Sequence, residues 1–362
     1  MTPETGILTI DLAAVAANYR LLAEKAPGKQ IAASIKADAY GLGMTRVAPV
    51  LAEAGCGFFY VANMAEALPL RAIQPEAKIA VLHGLEAGDW DTVSRNRLIP
   101  VLPHLGAIRA WRDAALERQV TAPVIIFLDT GMNRLGLGPD DVAQLLDHPE
   151  WLTGLKIEFW LSHLACSDEP ENPMNAAQLA ALTQYLIKLP AAPLSFANSG
   201  GIFLGAQYHF DQVRPGAALY GLNPTPDQPN PMRPVVRLEA PILQVRDVVP
   251  GMTAGYGATW RSKRLGKLAV LPVGYADGLM RSLSNRGHVS FGGHLAPVAG
   301  RVSMDLVTVD VTGVPEPLRQ IGAMGELIGA AREVETVARE AGTIGYEILT
   351  SLGSRYKRVY KE

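Results

Sequence analysis

The exchange of short apolar runs with amphipathic stretches, repeated over residues 11–220, constrains this chain more than any single motif does. Runs at 30–35, 58–62, 78–82, 99–102, 123–128, 155–162, 193–197 and 212–214 read as strands. Between them, 44–54, 65–73, 104–117, 140–146 and 175–189 carry helical patterns. Strands alternating with helices build βαβ units and a parallel sheet. Eight such units in roughly 200–250 residues have the size of a (β/α)8 barrel.

The pattern changes after Gly221. Residues 223–234 hold five prolines in twelve positions, which suits an extended connector rather than a helix. Beyond it, 236–249, 268–273, 288–291 and 307–311 read as strands separated by Gly-rich turns, with little helix before residue 331. The expectation is an α/β chain: a TIM-type (β/α)8 barrel over 11–222, then a mainly β domain over 223–362. The candidate strand at 6–11 has no helix ahead of it, and the N-terminal segment 1–10 is assigned to the second domain.

Charge and composition remove whole function classes. Lys and Arg total 33 against 35 Asp and Glu, a net charge of −2, which argues against nucleic acid as the main partner, since phosphate neutralisation needs a basic face. The N-terminus lacks a basic n-region and a long apolar h-region, which argues against a signal peptide. No stretch reaches the uninterrupted apolar length of a membrane span. Cys56 and Cys166 offer neither a disulfide framework nor metal-ligand spacing, so no metal is expected and a reducing cytoplasm fits.

In such barrels the reacting groups lie at the C-terminal ends of the strands, and phosphate is often held after strands 7 and 8. Lys36 falls just past strand 1 and His163 ends strand 6. Asn198-Ser199-Gly200-Gly201 follows strand 7, and Arg214-Pro215-Gly216 ends strand 8. Glycine there lets backbone N–H groups approach an anion. Taken singly, each feature has an ordinary reading: a snorkelling lysine, a turn, a packed histidine, a surface ion pair. Their coincidence at one barrel mouth points to a lysine Schiff base with a phosphorylated cofactor, and a polar residue facing the pyridine nitrogen.

Seven ordered segments then carry a resemblance. They are Ile-Lys-Ala-Asp-Ala-Tyr-Gly at 35–41, Asp-Thr-Gly-Met-Asn-Arg-Leu-Gly at 129–136 and Ala-Asn-Ser at 197–199. Arg-Pro-Gly-Ala-Ala-Leu-Tyr-Gly at 214–221, Tyr-Gly-Ala-Thr at 256–259, Gly-Tyr-Ala-Asp-Gly at 274–278 and Gly-Arg-Val-Ser-Met-Asp at 300–305 follow. Together they resemble the alanine racemase family over almost the whole chain.

That resemblance implies a homodimer, head-to-tail, that interconverts L- and D-alanine with pyridoxal 5'-phosphate, for peptidoglycan or alanine breakdown. Lys36 would carry the cofactor and act as base on one face of Cα, and Tyr256 of a partner chain would act on the other. Racemisation takes a proton from one face and returns one to the other, which two acid–bases satisfy. Arg214 would face the pyridine nitrogen, with His163 linking it to the tyrosine. Tyr40, Asn198, Ser199, Gly216 and Ala217 match phosphate-proximal positions. Arg134 and Met304 match groups that handle the substrate carboxylate, and Tyr275 lines the entrance. Ser354 falls where many relatives carry a tyrosine beside phosphate and substrate, so a wider pocket is expected. Phe127 stands where many carry a carbamylated lysine, and Asn133 is expected to help orient Arg134 in its place. Two alternatives stay open: a racemase of broader specificity (serine, lysine, ornithine), and a non-enzymatic pyridoxal-phosphate carrier. Carriers lack a second domain.

Overall fold

The computed structural model describes residues 5–362, so residues 1–4 of the N-terminal segment lie outside the described residues. A first strand, β1 (Ile7–Asp11), leads into the barrel. The barrel strands are β2 (Gln30–Ile31), β3 (Ala33–Ser34), β4 (Phe58–Val61), β5 (Lys78–Val81) and β6 (Leu98–Leu102). They continue as β7 (Ala122–Phe127), β8 (Leu155–Leu161), β9 (Leu194–Ser195) and β10 (Gln212–Val213). All neighbours pair in parallel, in the order β2-β10-β9-β8-β7-β6-β5-β4-β3. Only Ala32 separates β2 from β3, and its N–H donates to Val213 O at 2.9 Å. The nine segments are therefore eight barrel positions, with one interrupted strand closing the ring.

The alternating side-chain period of a strand decides what fills the ring. Phe58 and Tyr60 of β4, Ile99 and Val101 of β6, and Ile125 and Phe127 of β7 pack into one interior cluster. Their neighbours Phe59, Val61, Leu98, Leu102, Val124 and Ile126 face the surrounding helices instead. Strands covered on both sides read as near-continuous apolar runs, which is why they stand out in the sequence. The helix Leu12–Lys25 lacks such a signal. Asp11 caps it by accepting from Ala14 N at 2.7 Å, and Leu12, Val15, Tyr19 and Leu22 bury one stripe.

After the proline-rich connector the architecture is mainly β. Val236–Pro241, here β11, pairs antiparallel with β1, and β1 pairs parallel with Lys357–Lys361. The run 236–249, expected as one strand, is two: β11 and β12 (Gln244–Val248). They sit in different sheets, of six and three strands. The chain changes sheet between them, where Ile242 N donates to Ala323 O and Leu243 N to Val270 O. Pro241 has no N–H to continue the ladder. The strand Met324–Ile328 was not foreseen either; it joins β11 to His288–Phe291. Two helices, Val334–Ala341 and Gly345–Thr350, follow, and the second reaches the barrel mouth. Among the described residues no helix is long and apolar enough to cross a membrane.

Candidate active site

The C-terminal ends of the barrel strands surround a cavity of about 530 Å³. Lys36, Tyr40, Arg134, His163, Asn198, Ser199, Arg214, Gly216 and Ala217 all line it. Among the described residues, three cationic side chains and no carboxylate line this space, so it favours an anionic ligand.

Lys36 enters from a backbone that no composition signal announces. Ala37, Asp38, Ala39 and Tyr40 all have positive φ, from 52° to 57°, so the chain makes a left-handed turn without glycine. Such residues cost roughly 1–2 kcal/mol each and persist where their surroundings over-determine them. Glu66 does so from one side, accepting from Ala37 N and Ala62 N at 2.8 Å each. Asp38 accepts from Met44 N at 2.7 Å on the other. The turn puts the Tyr40 ring 4.7 Å from that of Tyr220 and 6.1 Å from that of Tyr346. Burial, with the Arg134 guanidinium, holds the Lys36 amine below its ordinary value against the opposing pull of Glu66. A lysine so placed is readily a nucleophile or base.

Arg214 forms the cavity floor, 6 % exposed. Its Nη2 donates to Ser162 O at 2.6 Å and to His163 Nδ1 at 3.1 Å, and Nη1 donates to Ser195 Oγ at 2.8 Å. A guanidinium has no acceptor, so His163 Nδ1 must accept, and a neutral imidazole then carries its proton on Nε2. Burial, then Arg214, Arg134 and Lys36, hold His163 well below the ordinary imidazole range. Burial also pulls Arg214 down to about 10, which leaves it cationic at neutral pH.

A cradle for an oxyanion lies opposite. Ser199 Oγ accepts from Gly216 N at 3.0 Å and Ala218 N at 3.2 Å, so its own proton is free to donate. A Cβ on Gly216 would sit 2.3 Å from Tyr40 Oη, so glycine is what lets the backbone meet that hydroxyl. The Gly-Gly pair after strand 7 has another use. A Cβ on Gly200 would lie 2.6 Å from Ser167 O, so glycine there serves loop packing rather than anion approach. Hydroxyls, the N–H of Ala217 and nearby cations are the donor set a phosphate monoester needs, and a lysine amine beside them fits an aldehyde.

Four expected residues do not line this cavity. Ser354 is exposed in the turn before Lys357–Lys361, and the tyrosine at the mouth is Tyr346, with Thr350 one helical turn on. The wider pocket expected from Ser354 is therefore corrected: a phenol does border this space. Its signal was an aromatic projecting from a short helix whose Ile348 and Leu349 are buried. Tyr256, Met304 and Tyr275 belong to second-domain loops and are 72 %, 53 % and 43 % exposed. Tyr275 N donates to Ser303 O and Ala276 N to Met304 O, so two of the three share one loop pair. Phe127 fills part of the wall, while Asn133 Nδ2 donates to Gly131 O at 3.2 Å rather than to Arg134. Sequence reasoning also passed over Tyr60, whose ring lies under the Arg214 guanidinium at 5.8 Å.

Comparison with known proteins adds a second line. The family profile of the alanine racemase N-terminal domain matches residues 10–224, and that of the C-terminal domain matches 235–360. An alanine racemase of Acidiphilium cryptum is 50 % identical over 354 residues, 98 % of either chain. The crystal structure of alanine racemase from Bartonella henselae with covalently bound pyridoxal phosphate superposes with a TM-score of 0.96 at 42 % identity. It covers 99 % of this chain and 100 % of its own. A biosynthetic alanine racemase structure from Pseudomonas aeruginosa gives 0.93 at 34 % identity, with 99 % and 100 % covered.

Proposed function

The chain belongs to the alanine racemase family, and on that premise we propose how its own residues interconvert L- and D-alanine. One observation carries the reading: a depressed lysine amine, an oxyanion cradle and a buried arginine line one cavity that holds no carboxylate among the described residues. Bound there, pyridoxal phosphate supplies the electron sink that acidifies the proton on Cα.

Lys36 would hold the cofactor covalently, and Ser199, Tyr40 and the N–H of Ala217 would hold its phosphate, with Asn198 beside them. Arg214 would face the ring nitrogen and, being unable to surrender its proton, would leave that nitrogen unprotonated. Arg134 handles the substrate carboxylate. Lys36 Nζ would take or return the Cα proton on one face. The partner subunit's Tyr256 does the same on the opposite face, and each direction of reaction exchanges their roles. The exposure of Tyr256, Met304 and Tyr275 supports this assignment, since exposed apolar side chains grouped in loops suit an interface. The active unit is then a head-to-tail homodimer whose second domain (223–362, with the N-terminal segment 1–10) completes the partner barrel (11–222). We assign it to the cytoplasm, supplying or consuming D-alanine.

Chiral chromatography of products from L-alanine, L-serine, L-lysine and L-ornithine tests the reading, together with borohydride trapping of the bound cofactor. D-alanine should dominate, and the reduced adduct should map to Lys36 and vanish in Lys36→Ala. Cofactor-loaded protein that racemises none of these amino acids, or an adduct on another lysine, would contradict it.

A further inference from the structure

Beneath the cavity floor, a chain of uncharged side chains runs from Arg214 into the barrel interior. Arg214 Nη1 donates to Ser195 Oγ, which lies 2.8 Å from Gln212 Oε1. Tyr60 Oη donates to the same Gln212 oxygen at 2.7 Å, and Gln212 Nε2 donates to Gln30 Oε1 at 2.6 Å. A guanidinium only donates, so Ser195 Oγ accepts from it and keeps its single proton for Gln212, whose Oε1 at 2.8 Å is nearer than its backbone O at 3.3 Å. Tyr60 commits its proton there too, which leaves the amide nitrogen for Gln30.

Ser195 and Gln212 are both 0 % exposed. A buried guanidinium is normally paired with a carboxylate. Arg214 has none: its acceptors are Ser195 Oγ, the Ser162 and Phe196 carbonyls and His163. Its charge is thus oriented but not cancelled. Its Nε bonds no protein group among the described residues and is not fully enclosed, so it is a donor available to a ligand above.

Resting on the racemase reading above, we propose that Gln212, acting through Ser195, is a positioning residue. It holds Arg214 as an uncompensated cation against the cofactor's ring nitrogen, and the reaction requires an amide rather than a carboxylate at 212. A carboxylate would accept the same two protons but set a negative charge one hydroxyl away from the guanidinium. The potential at the ring nitrogen would fall and the nitrogen would take up a proton more readily. Negative charge at Cα would then spread further into the ring, and proton return would go astray. In that side reaction the amino nitrogen and two electrons pass to the cofactor, which ends as its amine form. The oxidised skeleton leaves as pyruvate, its carbonyl oxygen taken from water.

The test uses Gln212→Glu, Ser195→Ala and Ser195→Thr holoenzymes with two readouts. One is pyruvate formed per racemisation event. The other is the ring-nitrogen chemical shift, by NMR, of enzyme loaded with 15N-labelled pyridoxal phosphate and no substrate. Gln212→Glu should raise the pyruvate ratio roughly tenfold, the equivalent of one pKa unit on the ring, and move the shift toward that of a protonated pyridine. Ser195→Ala, which cuts the relay, should move both readouts from their wild-type values, and Ser195→Thr, which keeps the hydroxyl, should restore them. A purely structural role would lower melting temperature and leave both readouts alone. If Gln212→Glu fails to fold, the alanine–threonine pair decides. Wild-type ratio and shift in Ser195→Ala would overturn the proposal while leaving the racemase reading intact, which fails only if the wild-type chain does not racemise.

Discussion

Gly216 and His163 show how far single side chains set this site. Gly216→Ala would bring a methyl group to 2.3 Å from Tyr40 Oη and push that hydroxyl out of the phosphate cradle. Losing one charge-assisted hydrogen bond of ~1.5 kcal/mol should weaken pyridoxal-phosphate binding about tenfold in an equilibrium titration. His163 predicts an acid limb of stability. Unfolded, it titrates near ~6.5; folded, burial with Arg214, Arg134 and Lys36 keeps it neutral to much lower pH. Between those values the unfolded chain binds the extra proton, so stability falls as pH drops below ~6.5 and levels once the folded imidazole protonates. His163→Gln offers Arg214 a non-titrating acceptor and should flatten that limb in pH-dependent denaturant melts. The cavity-lining residues at the strand ends were legible because barrel strands announce themselves and their C-terminal ends converge on one mouth. Tyr346 was missed in favour of Ser354, since a short second-domain helix carries no comparable landmark.

At the scale of elements, the strands buried on both faces could be read directly, whereas segments shaped by tertiary partners could not. The left-handed turn at 37–40 depends on Glu66 and Asp38 accepting backbone protons, a contact no local pattern encodes. The break of 236–249 into β11 and β12 depends on which sheet each half joins. The helix Gly345–Thr350, which carries Tyr346, packs on Val334–Ala341, and that helix is held by a polar knot. Arg332, 2 % exposed, pairs with Glu340, which also meets His288 Nδ1 at 2.9 Å. Glu340→Ala would strand the buried guanidinium. It should cost ~2 kcal/mol in chemical denaturation, less than a fully enclosed pair because the carboxylate is partly open. Cofactor affinity should fall with it, since the helix that brings Tyr346 to the mouth loses its support.

For the whole molecule, the barrel gathers Lys36 and its partners in one mouth while the loops bearing Tyr256 stand exposed on the second domain. The proposed two-face proton transfer, with Tyr256 on the second face, would then need two chains. The direct test is subunit mixing: Lys36→Ala and Tyr256→Phe proteins, each nearly inactive alone, combined under conditions of demonstrated subunit exchange. A mixed dimer has one site with both native groups and one with neither, so a statistical mixture should regain about one quarter of wild-type alanine racemisation per subunit. No recovery despite exchange would contradict a site shared between chains.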